Sequence, residues 1–332
     1  MSRATLLIMS FLVGSLAHEV SAATIIVKPG DSIQQAISRM HGGDTVTIQG
    51  GTYHEGQLSP PGGSEGNATT IQAEAGEIVT ILSTGGDCMI SLNPGVTWVV
   101  MDGLILDGDG KVAFGICNQK INTTSHLTVQ NSEVRNTRHS GLLLNGTTWT
   151  IRNNYIHHCG TDKQFDHGIY FAGNHSLILG NVFEANACFN IQNYGDGEGD
   201  DHNTYDGNLF TKSRCGFVAS NGHTVLFTGN ILIDDGMVDA SAALQAFIPD
   251  LVIRKNWFVR TGILSRGDSS LRIEENQFCE GGIKAPNAQQ SGNRFTCDNL
   301  PDLTKAPGAT PIKPPQGTKP TMPRNVRVFT RE

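Results

Sequence analysis

The chain has 332 residues, a formal net charge of −7, only 17% charged residues and 39 glycines. An average globular domain carries ~25% charged residues and ~7% glycine, so this mixture suits a β-rich chain with many tight turns. The acidic balance, with no basic stripe, gives no support for a nucleic-acid partner, and no segment approaches the ~18 uninterrupted apolar residues of a membrane span.

At the N-terminus, Arg3, the apolar run over residues 6–16 and the small residues Ser21 and Ala22 read as a signal peptide over residues 1–23. The expectation is a soluble protein, secreted or periplasmic, acting as a single chain. The next element is a helix. Ile33, Ala36, Ile37 and Met40 fall at i, i+3, i+4, i+7, with Asp31 or Ser32 as N-cap. Residues 42–53, GGDTVTIQGGTY, then alternate as a strand between glycine turns.

From there one phrase recurs: glycine, polar residues, alternating apolar residues, then Asn-x-apolar. The asparagines are Asn154, Asn181, Asn208, Asn230, Asn256, Asn276 and Asn293, followed two residues later by Ile156, Phe183, Phe210, Leu232, Phe258, Phe278 and Phe295. Spacings mostly in the twenties suit one coil of a parallel β-helix, in which each coil buries its apolar residues against its neighbours. Asparagines at one turn can stack into a hydrogen-bonded ladder. The pattern stops near Pro301, and residues 301–332, rich in proline, read as a disordered tail.

The run VKPGDSIQQAISRMHGGDTVTIQGGTYHEG, the HGIYF stretch and the Asn-x-apolar coils together resemble right-handed parallel β-helix proteins of the pectin-lyase-like superfamily. The resemblance implies an all-β solenoid over residues 24–300, closed by the N-terminal helix. For function it implies a polysaccharide-active protein in general, since the superfamily spans lyases, hydrolases, epimerases and non-catalytic accessory proteins. The Asn-Thr-Asp, Asp-Asp and Gly-His-Gly set of polygalacturonases, the Asp-Pro-His motif of mannuronan epimerases and the arginine-rich motifs of the major pectate lyases are missing.

Counting seven residues from Ser132, Asn181 and Asn208 places His139, Cys188 and Cys215 in one column, and anchoring on Gly173 adds Asp166. His139 and Asp166 should then be neighbours in adjacent coils, ~4.8 Å apart. Alternation puts Asp166, Gly168 and Tyr170 on the outer face and turns His167 inward as a hydrogen-bonded residue at the strand entrance. Two insertions, TDKQFD at residues 161–166 and DGEGDD at residues 196–201, mark loops where binding residues concentrate.

Removing a C5 proton from a uronic acid needs a group to neutralise the carboxylate, a base and an acid. His139, Lys163, Asp166, Tyr170 and Arg214 supply those types. Asp196, Glu198, Asp200 and Asp201 could ligate Ca²⁺ through oxygen, although they lack EF-hand spacing. The leading expectation is a lyase or C5-epimerase acting on an acidic glycan. The second is a non-catalytic carbohydrate-binding or periplasmic accessory protein. The third is a glycoside hydrolase pairing Asp166 with Asp196 or Asp200.

Seven cysteines follow the leader, an odd number that leaves at least one thiol over, and for several of them a buried apolar role is expected. Trp98 and Trp149 read as packing residues, and His157 and His158 as surface residues.

Overall fold

The computed structural model describes residues 22–118, 124–194, 201–220, 222–236, 244–265 and 270–301. Most of the expected leader and nearly all of the C-terminal tail lie outside the described residues. The chain winds as a parallel β-helix whose coils each contribute short strands to three parallel stacks. The first stack starts at Thr24–Val27, the second at Gly51–Glu55 and the third at Gly86–Leu92. The second stack is a sheet of ten strands. The first and third join into a sheet of twenty because one long strand, Leu142–Arg152, runs through both.

Each coil turns its corners with residues in the left-handed region rather than with glycine alone. Trp98, His126, Thr148, His175, His202, Thr224 and Asp250 hold φ between 47° and 60° at the corner before the first stack. A second such series follows the second stack, including His158, Ala185, Lys212, Asp234, Arg260 and Glu280. Left-handed backbone is costly for a residue with a Cβ. Its recurrence at one point of each coil shows that stacking compensates the cost coil by coil.

The asparagine ladder forms at the corner between the first and second stacks. Each side-chain oxygen accepts both the backbone N–H and the amide of the asparagine one coil before. Asn181 Oδ1, for example, lies 3.0 Å from Asn154 N and 3.0 Å from Asn154 Nδ2. Each Nδ2 also donates to a carbonyl, as Asn208 does to Ile178 at 2.8 Å. A buried amide has four hydrogen-bonding functions to satisfy, and the repeat serves them without water. The ladder begins at Ser132, whose N–H donates to Asn154 Oδ1 at 3.0 Å.

Two residues on, Ile156, Phe183, Phe210, Leu232, Phe258 and Phe278 fill the interior as the repeat requires. The rings of Phe183 and Phe210 stack at 5.1 Å, and those of Phe258 and Phe278 at 4.8 Å. Phe295, expected in the same interior column, is instead 63% exposed and stacks on Phe278 in the last described coil. At the other end a short helix, α1 (Ile33–Ile37), buries Ile33, Ala36 and Ile37 against the first strands. Ser32 caps it, and the Glu55 carboxylate accepts the Ile33 and Gln34 N–H groups at 2.7 and 2.8 Å.

The cysteine expectation needs correction. Six of the seven pair, as Cys88–Cys117, Cys188–Cys215 and Cys279–Cys297, and only Cys159 is a buried free thiol. The first two pairs are separated by 29 and 27 residues, about one coil, which stacks each cysteine on its partner.

Candidate functional site

The third stack positions the candidate site. Its ladder aligns Leu142 with Ile169 and Ile169 with Ile191, and the Cys188 and Cys215 N–H groups donate to the Asp166 and Cys188 carbonyls. His139, Asp166, Cys188 and Cys215 therefore do share one column at the corner leading into this stack. Between its first two members the side chains meet, with His139 Nδ1 2.9 Å from Asp166 Oδ1.

The outward exposure expected of Asp166 is not what forms, because the residue is buried. The insertion before it folds back, and the Thr161 and Asp162 N–H groups donate to Asp166 Oδ2 at 2.9 and 2.7 Å. Gly160, at φ +90°, allows that close return, since a Cβ there would lie 2.4 Å from the Asp166 Cβ. A carboxylate can only accept, so His139 Nδ1 must carry the proton. The other ring nitrogen, Nε2, is then left as a base on a side chain that is 50% exposed.

His167 also departs from expectation. Its N–H donates to Ser140 Oγ at 3.0 Å, as suits a strand entrance. Its ring, however, lies on the outer side, against Tyr170 at 5.9 Å and Phe189 at 5.4 Å and bonded to Gln192. These neighbours bury it from outside, and that burial pushes the imidazole down to about 4 despite the nearby Asp166. Asp166 and His167, adjacent in sequence, thus belong to separate contacts.

Tyr170 stacks on Tyr194 at 5.6 Å, and Tyr194 is 44% exposed. Burial, helped by Tyr194, raises the Tyr170 hydroxyl. Lys163 is exposed on the insertion, whose path brings the Lys163 carbonyl within 3.9 Å of Cys215 Sγ. Arg214, half-buried, precedes that cysteine. The two cations therefore flank the Cys188–Cys215 disulfide, and Arg214 sits two coils beyond Asp166. Phe165, which the sequence reading passed over, is 68% exposed on the insertion directly before Asp166. An aromatic residue in an otherwise polar loop was its available signal.

Of the acidic insertion, Asp196, Glu198 and Asp200 lie outside the described residues. Asp201 is buried and accepts from Asn193 Nδ2 at 3.0 Å, so it faces the interior and not an open loop. Its N–H and C=O join the ladder between coils, to His223 and His175, and this ties the side chain inward. Among the described residues no group of three or more His, Cys, Asp or Glu side chains is placed to hold a metal ion.

A second titratable cluster was missed entirely. On the outer face of the second stack Glu133 bonds Arg135 and, at 3.1 Å, His157 Nε2. His157 Nδ1 lies 2.7 Å from His158 Nδ1, and the Tyr155 ring stacks on His157 at 3.9 Å. His157 is thus buried in this network and not at the surface. Burial raises Glu133, but the His157 bond and the Arg135 charge outweigh it and hold the carboxyl low. Of the two tryptophans, Trp149 is buried as expected, while Trp98 is half-buried and stacks on His126 at 4.0 Å.

Comparison with known proteins identifies the scaffold. Pectate lyase Pel9A superposes with a TM-score of 0.59 at 12% identity, covering 86% of this chain and 83% of that one. A lacto-N-biosidase from Eubacterium ramulus gives 0.59 at 10% identity, covering 82% and 68%. An endo-xylogalacturonan hydrolase from Aspergillus tubingensis gives 0.56 at 13% identity, covering 84% and 97%. At these identities the likeness establishes the fold. No curated protein sequence matches the chain. A family model described as a right-handed beta helix region matches residues 115–299, more than half of the chain, and with the stacked coils this shows that the protein belongs to the right-handed β-helix family.

Proposed function

We propose that this protein is a polysaccharide lyase acting on a uronic-acid-containing glycan, with His139 as the proton-transferring group. The observation that carries the reading is the His139–Asp166 pair, a surface imidazole whose tautomer is fixed by a carboxylate that backbone N–H groups hold in place. Asp166 is a positioning residue, and His139 Nε2 is the atom that meets substrate. In a syn elimination one imidazole suffices. It accepts the C5 proton, the C4–O bond breaks as the double bond forms, and the imidazolium returns the proton to the leaving oxygen. Lys163 and Arg214 are the cations on this side assigned to the uronate carboxylates, and exposed Phe165 and Tyr194 offer faces for sugar rings.

Geometry ranks this above the other chemistries. An epimerase needs proton donors on opposite faces of one sugar, yet Tyr170, the other candidate, stands past the corner inside the strand Ile169–Asn174, where its ring stacks against His167 and Tyr194. A hydrolase needs a carboxyl free to protonate a leaving group, whereas both Asp166 oxygens are engaged. That same placement of Tyr170 favours a second reading, a glycan-binding protein without catalysis. Incubation with polygalacturonate and alginate decides between them. Ultraviolet absorbance from unsaturated uronate, lost in His139→Ala, is the expected result. A flat trace with no new reducing ends and no C5 proton exchange would leave the binding reading alone.

A further inference from the structure

The outer face of the first stack carries a groove that the proposed chemistry does not use. Its edge is the left-handed corner column, which projects one side chain from each successive coil. Trp98 and His126 stack at 4.0 Å, and His175 and His202 pair at 5.1 Å further along. From Trp98 to Asp250 the column spans six rungs, ~29 Å at ~4.8 Å each. Beside it runs a floor of outward residues in one register, Thr204, Leu226 and Val252, ending at Arg272. Next to them, on the same face, stands Arg254. These residues, with His202, line a cleft of about 410 Å³, within the ~300–1,000 Å³ range of small-molecule sites.

The charge of the cleft points to its ligand. Arg254 is exposed and joins no ion pair among the described residues, while Arg272 meets Glu274 at a loose 3.6 Å. Asp250 is the carboxylate in the lining, and Glu274 stands next to Arg254 in register on the neighbouring strand. Guanidinium groups bind carboxylate or sulfate through paired N–H donors, and an aliphatic floor beside a ridge of rings suits the apolar faces of sugars. We infer that this cleft is a second, non-catalytic binding site for an acidic glycan, with Arg254 and Arg272 holding its anionic groups and the ring-bearing corner guiding the chain towards them. The choice of an acidic sugar rests on the reading of the His139 site, but the site itself lies on a different stack.

The test is binding of polygalacturonate and alginate, with dextran as the neutral control, to the wild type, His139→Ala, Arg254→Ala/Arg272→Ala and the corresponding double lysine variant. Both arginines are exposed, so their replacement leaves the core intact. The expected result is that the double alanine substitution lowers affinity for the acidic chains roughly tenfold or more, both alone and in the His139→Ala background, and that lysines restore part of it. Affinity unchanged in the double alanine variant, or equal affinity for dextran, would overturn the cleft. Binding that depends on the arginines without any unsaturated product would support the cleft and remove the lyase reading. Product formed with arginine-independent binding would do the reverse. Absence of both binding and product would overturn both.

Discussion

Two histidine–carboxylate pairs lie on neighbouring stacks of this solenoid and differ in what they leave free. In His139–Asp166 the carboxylate is buried and the imidazole keeps one nitrogen open at the surface. In His157–Glu133 the imidazole is buried too, its nitrogens taken by Glu133 and His158 and its face covered by Tyr155. The difference teaches that an acid beside a histidine is not in itself a site. The first pair sits where an inserted loop breaks the even stacking and leaves His139 half-exposed. The second sits on a regular sheet face, where Arg135 also bonds Asp107 on the preceding strand, so the network ties three strands together.

Activity provides the largest test of this contrast. On the lyase reading, His139→Ala is expected to lower turnover of a uronate glycan by ~10²–10⁴-fold, and Asp166→Ala to approach that loss through the freed ring and loop. His157→Gln should leave turnover within twofold of wild type, about the scatter of such assays. Equal losses at His139 and His157 would erase the distinction.

A third buried carboxylate sharpens it in stability. Asp235 is fully buried, and the donors to its side chain among the described residues are uncharged, Asn190 Nδ2 at 3.0 Å and Ser213 N at 2.8 Å. Burial pushes it up to about 7 against those bonds, the opposite of Glu133 with its arginine. A raised carboxyl favours the native state fully below its ordinary value near 3.8, and this contribution disappears as pH rises to about 7. At ~1.4 kcal/mol per pH unit of separation, Asp235 removes up to about 4 kcal/mol by pH 8. Chemical denaturation at pH 8 should therefore show Asp235→Asn more stable than wild type, with the two converging near pH 4.

His167 slopes the other way. Held near 4, it contributes a stability present above its ordinary value of 6.5 and lost as pH falls through 4. The span is about 3 kcal/mol. His167→Gln should flatten that acid limb in a denaturation series, and an unchanged limb would show that the ring is open to water. The smallest effect is expected at His157→Gln, which removes one bond from Glu133 but leaves Arg135. Its cost should be about 1–2 kcal/mol by denaturant unfolding.

The sequence displayed its coils because period and chemistry coincide. Every ladder asparagine needs the same corner, and Phe183, Phe210 and Phe258 need the same interior slot. Counting along that period also found His139 beside Asp166, since parallel register is a matter of arithmetic once an anchor is known. It failed where a loop reverses on itself. Nothing in residues 161–165 announces that their N–H groups will wrap the Asp166 carboxylate, and alternation does not govern His167 before its strand begins. The Glu133–His157–His158 cluster was hidden for a related reason. Glu133 and His157 belong to separate coils, and only the exact rung offset joins them. The disulfides were within reach, because Cys188 and Cys215 already occupied one column.

Those disulfides have a mechanical consequence. Each of the first two ties one coil to the next, and Cys279–Cys297 does the same at the last described coils. A solenoid pulled or digested from its end peels one coil at a time, because each coil contacts chiefly its neighbours. Here a protease nibbling inwards from residue 301 meets a covalent knot almost at once. Fraying that passes it meets another beside Asp166, so the crosslinks act as ratchet stops along the fibre-like body of the molecule.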